Sequence, residues 1–204
     1  LEEHFCRYHI SQVSSQKTIS VIKKAKNEGK IFTTGVSINN LSLNENDIGD
    51  FKTFLKLSPP LRTEEDRQSL VEAVNDGTID VIVSDHKPED EESKRLTFAQ
   101  AATGATGVET LLPLSLELFH NKSVKLKKLI AAITSNPAKI LGVEKGSLEK
   151  GKDADLCIFD LNRPWVVKKD KLQSKSKNTP IENRKLQGQI LKTFIKGELA
   201  FERN

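Results

Sequence analysis

Methionine is absent from the 204 residues, and there are only two cysteines, one tryptophan and one tyrosine. Two thiols, Cys6 and Cys157, cannot build a disulfide framework and lack zinc-knuckle spacing, so a reducing, cytoplasmic setting is expected. With so few aromatics there is no stacking platform for single-stranded nucleic acid. No apolar run approaches the roughly 18–20 residues that span a bilayer, and no basic start leads into an apolar signal core. Neither charge sign dominates: 32 Lys and Arg face 28 Asp and Glu, for a net charge of +4. That balance excludes a strongly basic nucleic-acid surface. A chain that opens on Leu1 and holds no Met reads as a piece of a longer polypeptide.

Hydrophobic residues at 36% and charged residues at 29% fit a globular protein with its own core. Tyr8–Val13 is short and β-rich. Ser14 or Ser15 can cap a helix reaching about Glu28, with Ile19, Val21, Ile22 and Ala25 at helical spacing and Gly29 beyond its end. Ile31–Val36 then reads as a second strand, and strand–helix–strand with short joints implies a parallel sheet. Ser37–Pro60 reads as a long polar loop, of the kind that is more often functional than idle. Thr63-Glu64-Glu65-Asp66 caps a helix closed by Gly77, and Ile79–Ser84 is a third strand running into Asp85-His86. A charged loop, Lys87–Arg95, precedes helices at Gly107–Phe119 and Leu126–Thr134. Lys122–Lys128 alternates Lys with apolar residues, as a solvated helix face does. From Gly146 the pattern changes to turns and short strands, at Leu156–Phe159 and on either side of Gly197. The expected division is therefore residues 1–143 as an α/β unit and 144–204 as a small β module. Three strands cannot close a (β/α)8 barrel, which takes eight strands and roughly 250 residues.

Asp85 is the leading candidate for chemistry. It stands at the carboxyl end of a strand, where parallel α/β folds build their sites, and a carboxylate there can ligate a metal or accept a proton from metal-bound water. Gln12 falls on the same face, although an amide is a poor ligand beside imidazole or carboxylate. His9 reads as structural, and His4 and His120 as surface residues. Asn121-Lys122-Ser123 matches a glycosylation acceptor without a secretory context. No phosphate loop or nucleophile elbow is present.

The segments YHISQVSS, LKLSPPLRTEEDRQSLVEAVNDGTIDVIVSDHKP, ATGATGVETLLPLSL, ITSNPAKILG, GSLEKGKDADLCIFDL and SKSKNTPIENRKLQG resemble the class I dihydroorotases of the amidohydrolase superfamily, over nearly the whole chain. The resemblance implies an α/β fold: strands six to eight of a zinc-dependent (β/α)8 hydrolase barrel, followed by part of a composite β-sandwich. It implies interconversion of carbamoyl aspartate and dihydroorotate in pyrimidine synthesis. Asp85 matches the family's strand-eight aspartate, a metal ligand and proton shuttle. Gln12 stands where strand six has a metal-binding His. Ser58 replaces a substrate-contacting Asn, and Glu89 replaces a His that helps hold the substrate carboxylate. Gly35 replaces a Glu, Ile38-Asn39-Asn40 replaces Pro-His-His, and Gly104 keeps a glycine whose neighbouring N–H groups face the substrate. This pattern resembles the non-catalytic dihydroorotase-like proteins that accompany aspartate carbamoyltransferase, in which the barrel is an assembly partner within a homo- or hetero-oligomer. The SINNLSLNENDIG segment would then be a contact surface. The alternatives are a working zinc hydrolase of a small cyclic amide whose other ligands lie outside this chain, and an amidohydrolase in which Glu89 selects a neutral or cationic substrate. Neither a nucleic acid nor a membrane is an expected partner.

Overall fold

The computed structural model describes residues 6–203, so His4 lies outside the described residues. The first half is a parallel sheet of β1 (His9–Ile10), β2 (Thr33–Ser37) and β3 (Val81–Val83), in the order β1-β2-β3. His9 pairs with Thr33 and Gly35 with Val81. The strands are shorter than the sequence pattern suggested.

Helix α1 (Gln16–Asn27) begins at Ser15, whose side chain accepts the Thr18 N–H. It buries Ile19 and Ile22 against α3 (Glu64–Asp76), which offers Leu70, Val71, Ala73 and Val74. Helix α3 has the expected ends. The Thr63 hydroxyl accepts the Asp66 N–H at 3.2 Å, three acids sit in the first turn, and Gly77 closes it with φ +88°. Asp80 fixes the joint between strands. Its Oδ2 accepts the Thr34 N–H at 2.7 Å and the Lys26 ammonium at 2.9 Å.

Two loop expectations fail. Ser37–Pro60 is not one polar loop: α2 (Ile38–Ser42) follows β2 directly, and two 3₁₀ turns, Glu45–Ile48 and Thr53–Leu55, fold the rest. Ile38, Asn39, Asn40 and Leu41 are all buried. Ser37 caps this helix by accepting the Asn39 N–H, and two apolar residues at its ends pull the polar pair between them inward. The Lys87–Arg95 loop contains α4 (Glu91–Lys94), capped by Asp90. Lys94 is only 2% exposed, and its ammonium donates to the carbonyls of Ala102 (2.7 Å) and Thr53 (3.1 Å). Burial lowers its pKa, while the neighbouring charge of Glu89 acts the other way.

Helices α5 (Leu111–His120), α6 (Leu126–Ile133) and α7 (Ser135–Leu141) complete the first half; α7 was not foreseen. The Lys122–Lys128 lysines face solvent around buried Val124 and Leu129, as expected. His120 is a correction. It is half-buried, and its ring Nε2 lies 3.0 Å from the Leu161 carbonyl, so it joins α5 to the second half rather than facing water.

The second half is one antiparallel sheet of β4 (Leu156–Val166), β5 (Lys185–Ile195) and β6 (Glu198–Glu202). Strand β4 runs on through Asn162-Arg163-Pro164 because a register shift absorbs those residues. Val167, Leu172, Ile181 and Leu186 share the hydrophobic core of the first half. The segment between β4 and β5 is thereby held over the ends of the parallel strands.

Candidate functional site

Asp85 begins the turn after β3, with φ +48°, a left-handed conformation that Asp tolerates better than most residues. Its side chain is 4% exposed. A carboxylate that deeply buried needs partners, and it has two. The Gln12 amide donates from Nε2 to Asp85 Oδ1 at 2.6 Å, reaching across from the end of β1. The Lys87 ammonium lies 2.9 Å from the same oxygen and also donates to the Ser58 carbonyl at 3.0 Å. The structure brings the Gln12 and Asp85 side chains together, and Lys87 links Asp85 to Ser58 through the Ser58 backbone carbonyl.

The surrounding frame is tight. His86 takes no part at the carboxylate; its ring Nδ1 accepts the backbone N–H of Gly107 at 3.1 Å. Lys87 donates its N–H to the Ala105 carbonyl at 2.8 Å. At Gly104, where φ is +149°, a Cβ would lie 2.8 Å from the Lys87 carbonyl oxygen, so only glycine lets the two turns approach this closely. Asn178, from the segment between β4 and β5, seals the arrangement. Its Nδ2 donates to the Gly104 carbonyl at 3.1 Å and its Oδ1 accepts the Glu89 N–H at 3.3 Å. Asn178 thereby bridges Glu89 and Gly104. No signal in one sequence marks Asn178, because it acts across a separation of 74 residues.

His9 is structural, as expected: its Nδ1 sits 2.7 Å from the Thr33 hydroxyl. Gly35 leaves no room for a longer side chain, since a Cβ there would meet the Ser11 carbonyl at 2.6 Å. Asn40 donates to the Pro60 carbonyl at 3.1 Å, whereas both polar atoms of the buried Asn39 side chain lack a partner among the described residues.

The family model for "Amidohydrolase family" matches residues 2–200. The chain belongs to the amidohydrolase family. Curated relatives named dihydroorotase include that of Ehrlichia canis (strain Jake), 45% identical over 95% of this chain and 43% of its own length. That of Anaplasma phagocytophilum (strain HZ) is 41% identical over 95% of this chain and 43% of its own length. Among solved structures, an L-hydantoinase (dihydropyrimidinase) from Arthrobacter aurescens superposes with a TM-score of 0.93 at 30% identity, covering all of this chain and 46% of that one. A dihydropyrimidinase from Brevibacillus agri shares the fold, with a TM-score of 0.90 at 21% identity over 97% of this chain and 45% of that one. The chain spans less than half the length of the curated relatives it matches.

Members of this family generally depend on a metal, zinc in the dihydroorotases. At Asp85 Oδ1 the arrangement here does not fit one. The oxygen of Asp85 that faces Gln12 receives an amide N–H and an ammonium, both of which point hydrogens where a cation would stand. Among the described residues, no three His, Cys, Asp or Glu side chains gather so as to hold a metal ion. Among those residues, too, no helix is long and apolar enough to cross a membrane.

Proposed function

We propose that this chain is part of a dihydroorotase-family protein whose hydrolase site is degraded and which serves pyrimidine synthesis as a non-catalytic partner of aspartate carbamoyltransferase. The observation that carries the proposal is the Gln12 amide donating into Asp85 at 2.6 Å. Hydrolysis of a cyclic amide on this scaffold requires an activated water and a carboxylate free to take its proton. With Gln12 and Lys87 both donating to Asp85 Oδ1, that oxygen is taken up as a ligand position and its basicity is reduced. Glu89 adds a second obstacle. In the family pattern its position faces the substrate carboxylate, and two like charges about 4 Å apart repel by about 4 kcal/mol at the effective dielectric of a protein surface, nearly a thousandfold in affinity.

In this reading β1, β2 and β3 are strands six, seven and eight of the barrel. The β4–β6 sheet is one half of a composite sandwich, with the boundary near residue 143. Zinc binding by this chain is weak or absent. The partner surface is narrower than the sequence suggested. Because Ile38–Leu41 are buried, it reduces to the exposed stretch from Glu45 to Lys52, where Phe51 is 70% exposed.

A second reading has support in the retained Asp85 and Gly104 and in relatives named dihydroorotase. It is an active zinc enzyme whose remaining ligands lie in the part of the relatives that this chain does not match. One assay separates the two. The full-length protein, supplied with zinc, should not hydrolyse dihydroorotate, and adding it should raise the activity of its aspartate carbamoyltransferase. Turnover of dihydroorotate that disappears in Asp85→Ala would overturn the proposal in favour of the second reading.

A further inference from the structure

We infer that Lys87 is a built-in cation that replaces a metal's charge at Asp85, so that the strand-end site is closed by the chain itself. The inference rests on the reading of a degraded site and adds the residue that keeps it closed. Three observations support it. First, the Asp85 side chain is 4% exposed, so its charge is poorly solvated, and a buried charge survives only when paired. Second, Lys87 is aimed. Its backbone is held by the hydrogen bond from its N–H to the Ala105 carbonyl and by the packing of its carbonyl on Gly104, so the side chain leaves a fixed point two residues from its target. Third, the ammonium is shared between Asp85 Oδ1 at 2.9 Å and the Ser58 carbonyl at 3.0 Å, which ties the turn after β3 to the Pro-Pro turn that precedes α3. Most lysine–carboxylate pairs at a surface contribute little. This one differs because its acid is buried, and removing the lysine would strand that charge.

The consequence is specific. Restoring a histidine at position 12 is not enough to restore metal binding, since the ammonium still occupies Asp85 Oδ1. Two measurements on the full-length protein test this. In thermal unfolding, Lys87→Met should lower the melting temperature by about 5 °C. Most of that loss should disappear when Asp85→Asn is already present, because no stranded charge remains and only the bond to the Ser58 carbonyl is lost. Equal losses in both backgrounds would overturn the inference. In zinc titrations, the Gln12→His, Lys87→Ala double variant should bind zinc at least tenfold more tightly than Gln12→His alone. Equal zinc binding by the two, whether strong or undetectable, would also overturn it. Stoichiometric zinc in the unaltered protein would instead defeat the functional reading. An unaltered protein without zinc whose melting shifts are additive would defeat the inference about Lys87 alone.

Discussion

Gly188 tests how the second half of the molecule is fastened to the first. It lies on β5 with φ +104°, and a Cβ there would fall 2.3 Å from Leu116 Cδ1 on α5. Leu116 is fully buried, so moving it would disturb its packed neighbours. Nearby, the Trp165 indole donates to the Gly188 carbonyl at 3.0 Å, which pins the strand from the other side. Gly188→Ala therefore incurs two penalties. A left-handed backbone costs an L-residue about 1–2 kcal/mol, and overpacking a filled core costs about 1–3 kcal/mol. The expected destabilisation is about 2–5 kcal/mol. Equilibrium denaturation of the full-length protein measures it. Leu116→Ala destabilises by about 2–5 kcal/mol alone, but it removes the atom that the added methyl group on β5 would strike. The double variant should therefore lose clearly less than the two single losses combined. A Gly188→Ala variant within about 0.5 kcal/mol of the unaltered protein, or strict additivity with Leu116→Ala, would refute the claim that this contact seats the sheet on α5.

Two other substitutions probe the frame of the site. Asn178→Ala removes the donor to the buried Gly104 carbonyl. It should destabilise by about 1–3 kcal/mol in urea unfolding, and an unchanged midpoint would show that Asn178 does not close the site. Glu64 is held at a pKa of about 2, below its ordinary 4.5, chiefly by hydrogen bonds from the Arg67 guanidinium, with burial opposing and Asn44 and Gln68 assisting. Because the folded value is depressed, its contribution is full above pH 4.5 and is lost as pH falls toward 2. Glu64→Gln should therefore narrow its stability gap from the unaltered protein steadily over that window, in stability curves measured by denaturant titration at each pH. A constant gap would contradict the Arg67 pairing.

Helix ends and strand identities were legible in the sequence wherever local chemistry decides them. Ser15, Thr63 and Gly77 cap as their side chains and backbone require. The reading failed where burial is decided by distant residues. Asn39 and Asn40 look like loop residues, but Ile38 and Leu41 carry them into the core. Lys94 looks like a loop charge, yet its ammonium finds two carbonyls from separate turns. The same limit applies to the site. Asp85 was marked by its place at a strand end and by resemblance to a family, and Gln12 by the histidine that it replaces. Lys87 carried no mark, because a lysine in a charged stretch is ordinarily solvated, and its role exists only once the fold puts the Ser58 carbonyl and the Asp85 carboxylate within 3.0 Å of one ammonium.

The most direct test of the account is the metal content of the full-length protein, purified in zinc-replete medium and measured by mass spectrometry of the metal. A carboxylate already occupied by an amide and an ammonium predicts well below one zinc per chain. One or more zinc ions per chain, lost on Asp85→Ala, would contradict it.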